Sequence, residues 1–262
     1  MAVRLQFYSH PAPAPVRRRR VAGSCRPIRA RAQLRQLAPT SGLSAGHDRH
    51  ARRRRPIPRS SHGGPHVSRT AANQRTTKET EIDIALDLDG SGQTDIDTGL
   101  PFFSHMLDQL GRHGGFNLKV HATGDLEIDA HHTVEDVGIA LGETFRAAWG
   151  DKRGVRRFAS NCVPLDEAAV EVVLDLSGRP YLHYEVEFPG EKILGDPPFD
   201  PQLVEEFWRA FVMSSGITLH IVRRRGKNTH HIIEANFKGV ARALRDAVRV
   251  EGDTLPSTKG TL

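Results

Sequence analysis

Three things are scarce in this 262-residue chain, and each scarcity excludes something. Cysteine occurs only at Cys25 and Cys162, so everything after the N-terminal tail holds a single thiol and no internal disulfide. That usage suits a reducing compartment. No apolar run is long enough to span a bilayer, so no membrane partner is expected. The N-terminus also lacks the continuous apolar segment of a secretory signal. Acidic residues are nearly missing from the first 78 positions, where Asp48 stands alone against eighteen Lys and Arg. Those positions carry about +17 and the rest about −11, which together give the net +6. A pI near 9.7 would point to nucleic acid if the charge ran through the whole chain. It is confined to one end, so no nucleic-acid partner is expected of the body.

The basic end reads "PVRRRRVAGSCRPIRARAQLRQL" and is rich in Arg, Ala, Pro and Ser. This is the pattern of an organelle transit peptide, which is cleaved and stands outside the fold. The competing reading is a disordered basic arm for nucleic acid or partners. We take residues 1–75 as the transit peptide and residues 76–262 as one domain, long enough to bury a core.

Within the body, "ETEIDIALDLDGSG" alternates apolar and polar residues before a turn, which predicts a strand. Apolar residues then recur at helical spacing from Phe102 to Leu110, with Gly114 and Gly115 as stops. "FNLKVHATGDLEID" reads as a hairpin around "TGD", and "HHTVEDVGIALGETFRAAWG" as an amphipathic helix. The second half repeats the plan. "AAVEVVLDLSGRPYLHYEVEF" reads as two strands around a turn and "DPQLVEEFWRAFVMSSG" as a helix. A strand "ITLHIVRRRG" and a helix "THHIIEANFKGVARALRDAVR" follow. "DLDG" at 87–90 echoes "DLSG" at 175–178. The expectation is an α+β fold of two duplicated halves, at about 80–150 and 166–250, each a mainly antiparallel sheet packed on helices.

The sequence spells His-His-x-x-Glu twice, at 131–135 and again 99 residues later at 230–234. On a helix, residues three and four apart share a face, so His131 and Glu135 are neighbours, as are His230 and Glu234. Adjacent histidines diverge by about 100° and cannot easily share one ion. Each helix is therefore expected to serve two metals, one histidine to each. The earlier helices align at an offset of 101, placing Glu206 opposite His105. The candidate ligands are His105, His131, His132 and Glu135 from one half. Glu206, His230, His231 and Glu234 come from the other. An imidazole and carboxylate set without thiolate suits Mn, Fe, Co or Zn, and leans towards Mn. One such motif is commonly just a polar helix start; two copies at matching places of a repeat are not explained that way.

With those motifs in view, the chain resembles the imidazoleglycerol-phosphate dehydratases. The match rests on "TKETEI", "DLDGSG", "TGLPFFSHMLDQL", "HHTVEDVGIALGE", "PLDEA", "DLSGRPYL", "GKNTHHIIEANFKGVARAL" and "LPSTKG", spread over about 76–262. The resemblance implies a lyase of histidine biosynthesis, removing water from imidazole glycerol phosphate to give imidazole acetol phosphate. It implies two Mn ions per active site and trimers that assemble into a 24-subunit shell. Glu79 is then the acid/base that moves the carbon-bound proton. The phosphate falls to Arg157, Arg179, Lys238, Ser257 and Lys259, and Gln109 touches a substrate hydroxyl. At Glu206 the pattern departs, since many members carry histidine there. The basic tail resembles the plastid-targeting extension of a plant or algal form, which places the protein in the chloroplast stroma. Two other readings use the same residues: a dinuclear phosphate-ester hydrolase, and a metal that only holds an oligomer together.

Overall fold

In the computed structural model, residues 69–190 and 192–262 are described. The expected transit peptide lies outside the described residues except for its last stretch. The first half runs β1 (Thr70–Thr76), β2 (Thr80–Asp87), β3 (Thr94–Asp97), α1 (Pro101–Gly114), β4 (Asn117–Gly124) and α2 (His131–Trp149). The second half runs β5 (Phe158–Leu165), β6 (Ala168–Asp175), β7 (Tyr181–Glu185), α3 (Leu203–Ser215), β8 (Thr218–Arg225) and α4 (Thr229–Ala247). The fold is α+β with a duplicated plan, as the repeat in the sequence implied.

Each half forms a four-stranded sheet, ordered β1-β2-β4-β3 in one and β5-β6-β8-β7 in the other. Two pairings in each are antiparallel, and β3/β4 and β7/β8 are parallel. The registers correspond: Asp87 faces Asn117, and Asp175 faces Thr218. Central strands alternate as a half-buried sheet requires. Ile82, Ile84 and Leu86 point inward on β2, as do Val170, Val172 and Leu174 on β6. The helices lie between the two sheets, with α1 against α4 and α2 against α3. Phe103, Phe145, Phe207, Trp208, Phe211 and Phe237 fill the space between them and are fully buried. α1 and α3 both end on a left-handed glycine, Gly115 and Gly216, which sit 101 residues apart.

Two expectations need correction, the domain boundary and the hairpin. The boundary at 75/76 cuts through β1, which pairs along β2 on both sides of it. β1, β3 and β5 show no apolar alternation because each is an outer strand of its sheet, and β1 and β5 bury no residue fully. The hairpin around "TGD" has only its first arm, β4. Asp125 N–H donates to the Glu79 carbonyl at 3.1 Å and starts a turn that leads into α2. β6 and β7 flank a turn as expected, and β8 lies between them in the sheet.

Candidate metal centre

Packing of α1 on α4 brings three expected ligands together. Donor atoms of His105, His230 and Glu234 lie within 4.8 Å of one another, the one such trio among the described residues. Glu234 Oε2 is 3.0 Å from His230 Nε2 and 3.4 Å from His105 Nε2, so both rings aim at one oxygen. Burial disfavours the Glu234 carboxylate, but Lys238 and His230 outweigh it and hold the carboxyl below its usual range. Lys238 Nζ sits 2.5 Å from the other oxygen, Oε1. Gln109, 8 % exposed, bridges His105 Nδ1 at 3.4 Å and His113 Nε2 at 3.2 Å. Burial lowers the His113 pKa, and Lys238 and Arg242 add to the effect. Two imidazoles and a carboxylate with no thiolate nearby fit a nitrogen/oxygen-preferring divalent ion. Cys162 is exposed on β5 and has no part in this cluster.

The repeat carries this trio onto His131, Glu135 and Glu206, with α2 and α3 standing for α4 and α1. His131 Nε2 and Glu135 Oε2 are 4.0 Å apart on α2. Glu206 does not join them. Its carboxylate turns to Arg209 Nε at 3.5 Å, one helical turn along α3. The second trio is thus laid out by the fold without being gathered.

The remaining histidines diverge as helical geometry requires. The rings of His131 and His132 stand 6.3 Å apart and nearly perpendicular, and those of His230 and His231 stand 6.2 Å apart. His132 Nδ1 meets Asp125 Oδ2 at 2.9 Å, with Glu79 Oε2 3.9 Å away. The Asp125 hydrogen bond raises the His132 pKa. His231 Nδ1 meets Glu167 Oε2 at 2.8 Å. Glu167 also accepts the backbone N–H groups of Lys227 at 3.0 Å and Asn228 at 2.8 Å. The Asn228 amide, then His231 and Lys227, pull its carboxyl down to about 2.

The expected phosphate residues divide. Arg157 spans Asp175, at 2.7 and 3.1 Å, and the Pro256 carbonyl at 2.7 Å. Its guanidinium also lies 4.5 Å over the Phe158 ring. This fastens "PSTKG" beside β6, where the Ser257 hydroxyl donates to the Thr261 carbonyl and accepts the Lys259 N–H. Arg179 reaches the same Asp175 at 4.0 Å and remains exposed. Arg157 thus links Asp175, and with it Arg179, to the segment that carries Ser257 and Lys259. Lys238 sits with Glu234 instead.

Sequence reasoning missed Lys152, Asp125 and Glu167. Lys152 is buried and donates to the Leu176 carbonyl at 3.1 Å beside the Arg157–Asp175 pair. Its burial lowers its pKa, against the pull of Asp175. Glu167 lay in "PLDEA" with no spacing to reveal its partner. Asp125 lay in the supposed hairpin turn.

Comparison with known proteins places the chain in a family. The profile of the family described as imidazoleglycerol-phosphate dehydratase matches residues 98–244. A protein of that name from Gluconacetobacter diazotrophicus is 57% identical over 199 residues, covering 75% of this chain and 99% of its own. The one from Methanopyrus kandleri is 51% identical over 194 residues, covering 74% and 96%. Among solved structures, imidazoleglycerol-phosphate dehydratase from Staphylococcus aureus superposes with a TM-score of 0.62 at 38% identity, covering 69% of this chain and 99% of that one. The Pyrococcus furiosus protein gives 0.63 at 36% identity, covering 72% and 100%. The chain belongs to the imidazoleglycerol-phosphate dehydratase family, hydro-lyases of histidine biosynthesis.

Proposed function

We propose that this chain dehydrates D-erythro-imidazole glycerol phosphate to imidazole acetol phosphate and water, using two Mn ions per active site. The observation that carries the reading is the convergence of His105, His230 and Glu234 on one point, with a repeat-related set at His131, Glu135 and Glu206. Divalent ions held there would supply Lewis-acid and templating chemistry to the substrate imidazole. Glu79 lies beside His132 on the exposed turn between β1 and β2, free to meet a substrate. It takes the carbon-bound proton. The hydroxyl on the adjacent carbon leaves, and the two together make up the released water. The enol left behind becomes the ketone of the product. Arg157, Arg179, Ser257 and Lys259 provide the charge and donors that a phosphate dianion needs, and Lys238 adds a further cation.

His132 and His231 face away from their neighbours in the trios, so completing each ion's shell calls for histidines of another copy. That supports trimers assembling into the 24-subunit shell. We also read the Arg-rich N-terminal segment as plastid targeting with cleavage ahead of β1; sequencing the N-terminus of protein recovered from plastids tests this. The activity test is direct. Metal-stripped protein is given imidazole glycerol phosphate with and without Mn. Manganese-dependent imidazole acetol phosphate with no inorganic phosphate is the expected result. Phosphate release instead would establish a hydrolase, and a metal-loaded, folded protein with no product would reduce the metal to a structural part.

A further inference from the structure

Glu79 and Glu167 occupy equivalent places in the repeat. Each is the residue before the inner strand of its sheet, Glu79 before β2 at Thr80 and Glu167 before β6 at Ala168. Each also lies near the second histidine of the motif in its own half. Their surroundings differ. Glu167 is bound in place by two backbone N–H groups and by His231 Nδ1 at 2.8 Å. Glu79 is 3.9 Å from His132 Nδ1, because Asp125 already holds that nitrogen at 2.9 Å.

The difference comes from the loops that enter the two motif helices. Between β4 and α2 the loop spans residues 125–130 and supplies the Asp125 carboxylate. Between β8 and α4 it is shorter, residues 226–228, and supplies backbone N–H groups that turn Glu167 towards His231. Both arrangements place a carboxylate on Nδ1 of a histidine. An imidazole whose Nδ1–H donates to a carboxylate keeps its lone pair on Nε2, the atom that can bind a metal.

Resting on the metal reading above, we propose that Asp125 and Glu167 are positioning residues that hold His132 and His231 with Nε2 ready for ligation. The same arrangement assigns proton transfer to the first half alone. Asp125 relieves Glu79 of the task that its counterpart Glu167 performs. Two carboxylates that began as equivalents have divided the work, one orienting a ligand and one free to reach substrate.

Mn titration of the full, metal-stripped chain tests this, comparing the parent with Glu167→Gln, Asp125→Ala and Glu79→Gln. Glutamine at 167 can still accept both backbone N–H groups. Its amide nitrogen then faces His231 Nδ1 and favours the tautomer protonated on Nε2. The expected outcome is Mn affinity weakened about 10- to 100-fold at one class of site in Glu167→Gln and in Asp125→Ala. The metal-free melting temperature should stay close to the parent's, and Glu79→Gln should bind Mn as the parent does. Parent-like Mn affinity in Glu167→Gln or in Asp125→Ala would overturn the proposal and leave the metal reading intact. A parent chain that binds no Mn would overturn both. Should Glu167→Gln fail to fold, Asp125→Ala carries the same comparison.

Discussion

A side chain's role here depends on which neighbours already hold it. Glu79 is exposed, and the hydrogen bonds of its turn involve its backbone, so its carboxylate is available for proton transfer. Glu79→Gln is expected to lower kcat by about 10²- to 10⁴-fold. Steady-state assays beside an Mn titration would check this, since a ligand or structural role would move metal affinity as well. The candidate ligands were legible in the sequence because helical spacing puts His230 and Glu234 on one face, and the structure keeps them there. Asp125 and Glu167 were not legible. Their partners lie seven residues and 64 residues away, across a loop and across a sheet, where no periodicity applies. Gln109, expected to touch a substrate hydroxyl, has its amide between the rings of His105 and His113.

The helices and inner strands were legible for the same reason, since burial imposes a period on each. The outer strands were not, because they answer to different demands. β1, "TAANQRT", is held by its polar side chains: Asn73 donates to the Ala140 carbonyl at 3.1 Å and to Glu143 at 2.9 Å. Arg75 caps the buried Asp136, which also accepts the Thr80 hydroxyl at 2.6 Å. Arg75→Ala leaves that carboxylate with Thr80 as its remaining partner and should destabilise the fold by about 3 kcal/mol, read by denaturant unfolding. A chain cut after residue 75 should lose at least as much. At the α2–α3 contact, a Cβ on Gly142 would come within 2.5 Å of the Phe211 carbonyl and 2.8 Å of Ser214 Cβ. Gly142→Ala must push these helices apart, at a cost of about 1–3 kcal/mol. Because α2 carries His131 and Glu135 and α3 carries Glu206, this substitution should weaken Mn binding along with thermal stability. Lower stability with parent-like Mn affinity would contradict a role for this contact in placing the second trio.

At the scale of the whole molecule, one repeat explains the doubled sheet, the doubled helix pair and the doubled motif. The same operation that takes α1 and α4 onto α3 and α2 takes one candidate trio onto the other. Its two products are no longer identical. The His105 trio is gathered, and Glu206 in the other pairs with Arg209. A two-metal site requires Glu206 to leave Arg209 when an ion binds. Anomalous diffraction at the Mn edge, on crystals of the Mn-loaded protein, tests this most directly. Two Mn peaks per chain are predicted, one against His105, His230 and Glu234, the other against His131, Glu135 and Glu206. A single peak at the first trio, with Glu206 still on Arg209, would contradict the claim that the duplication builds a two-metal site.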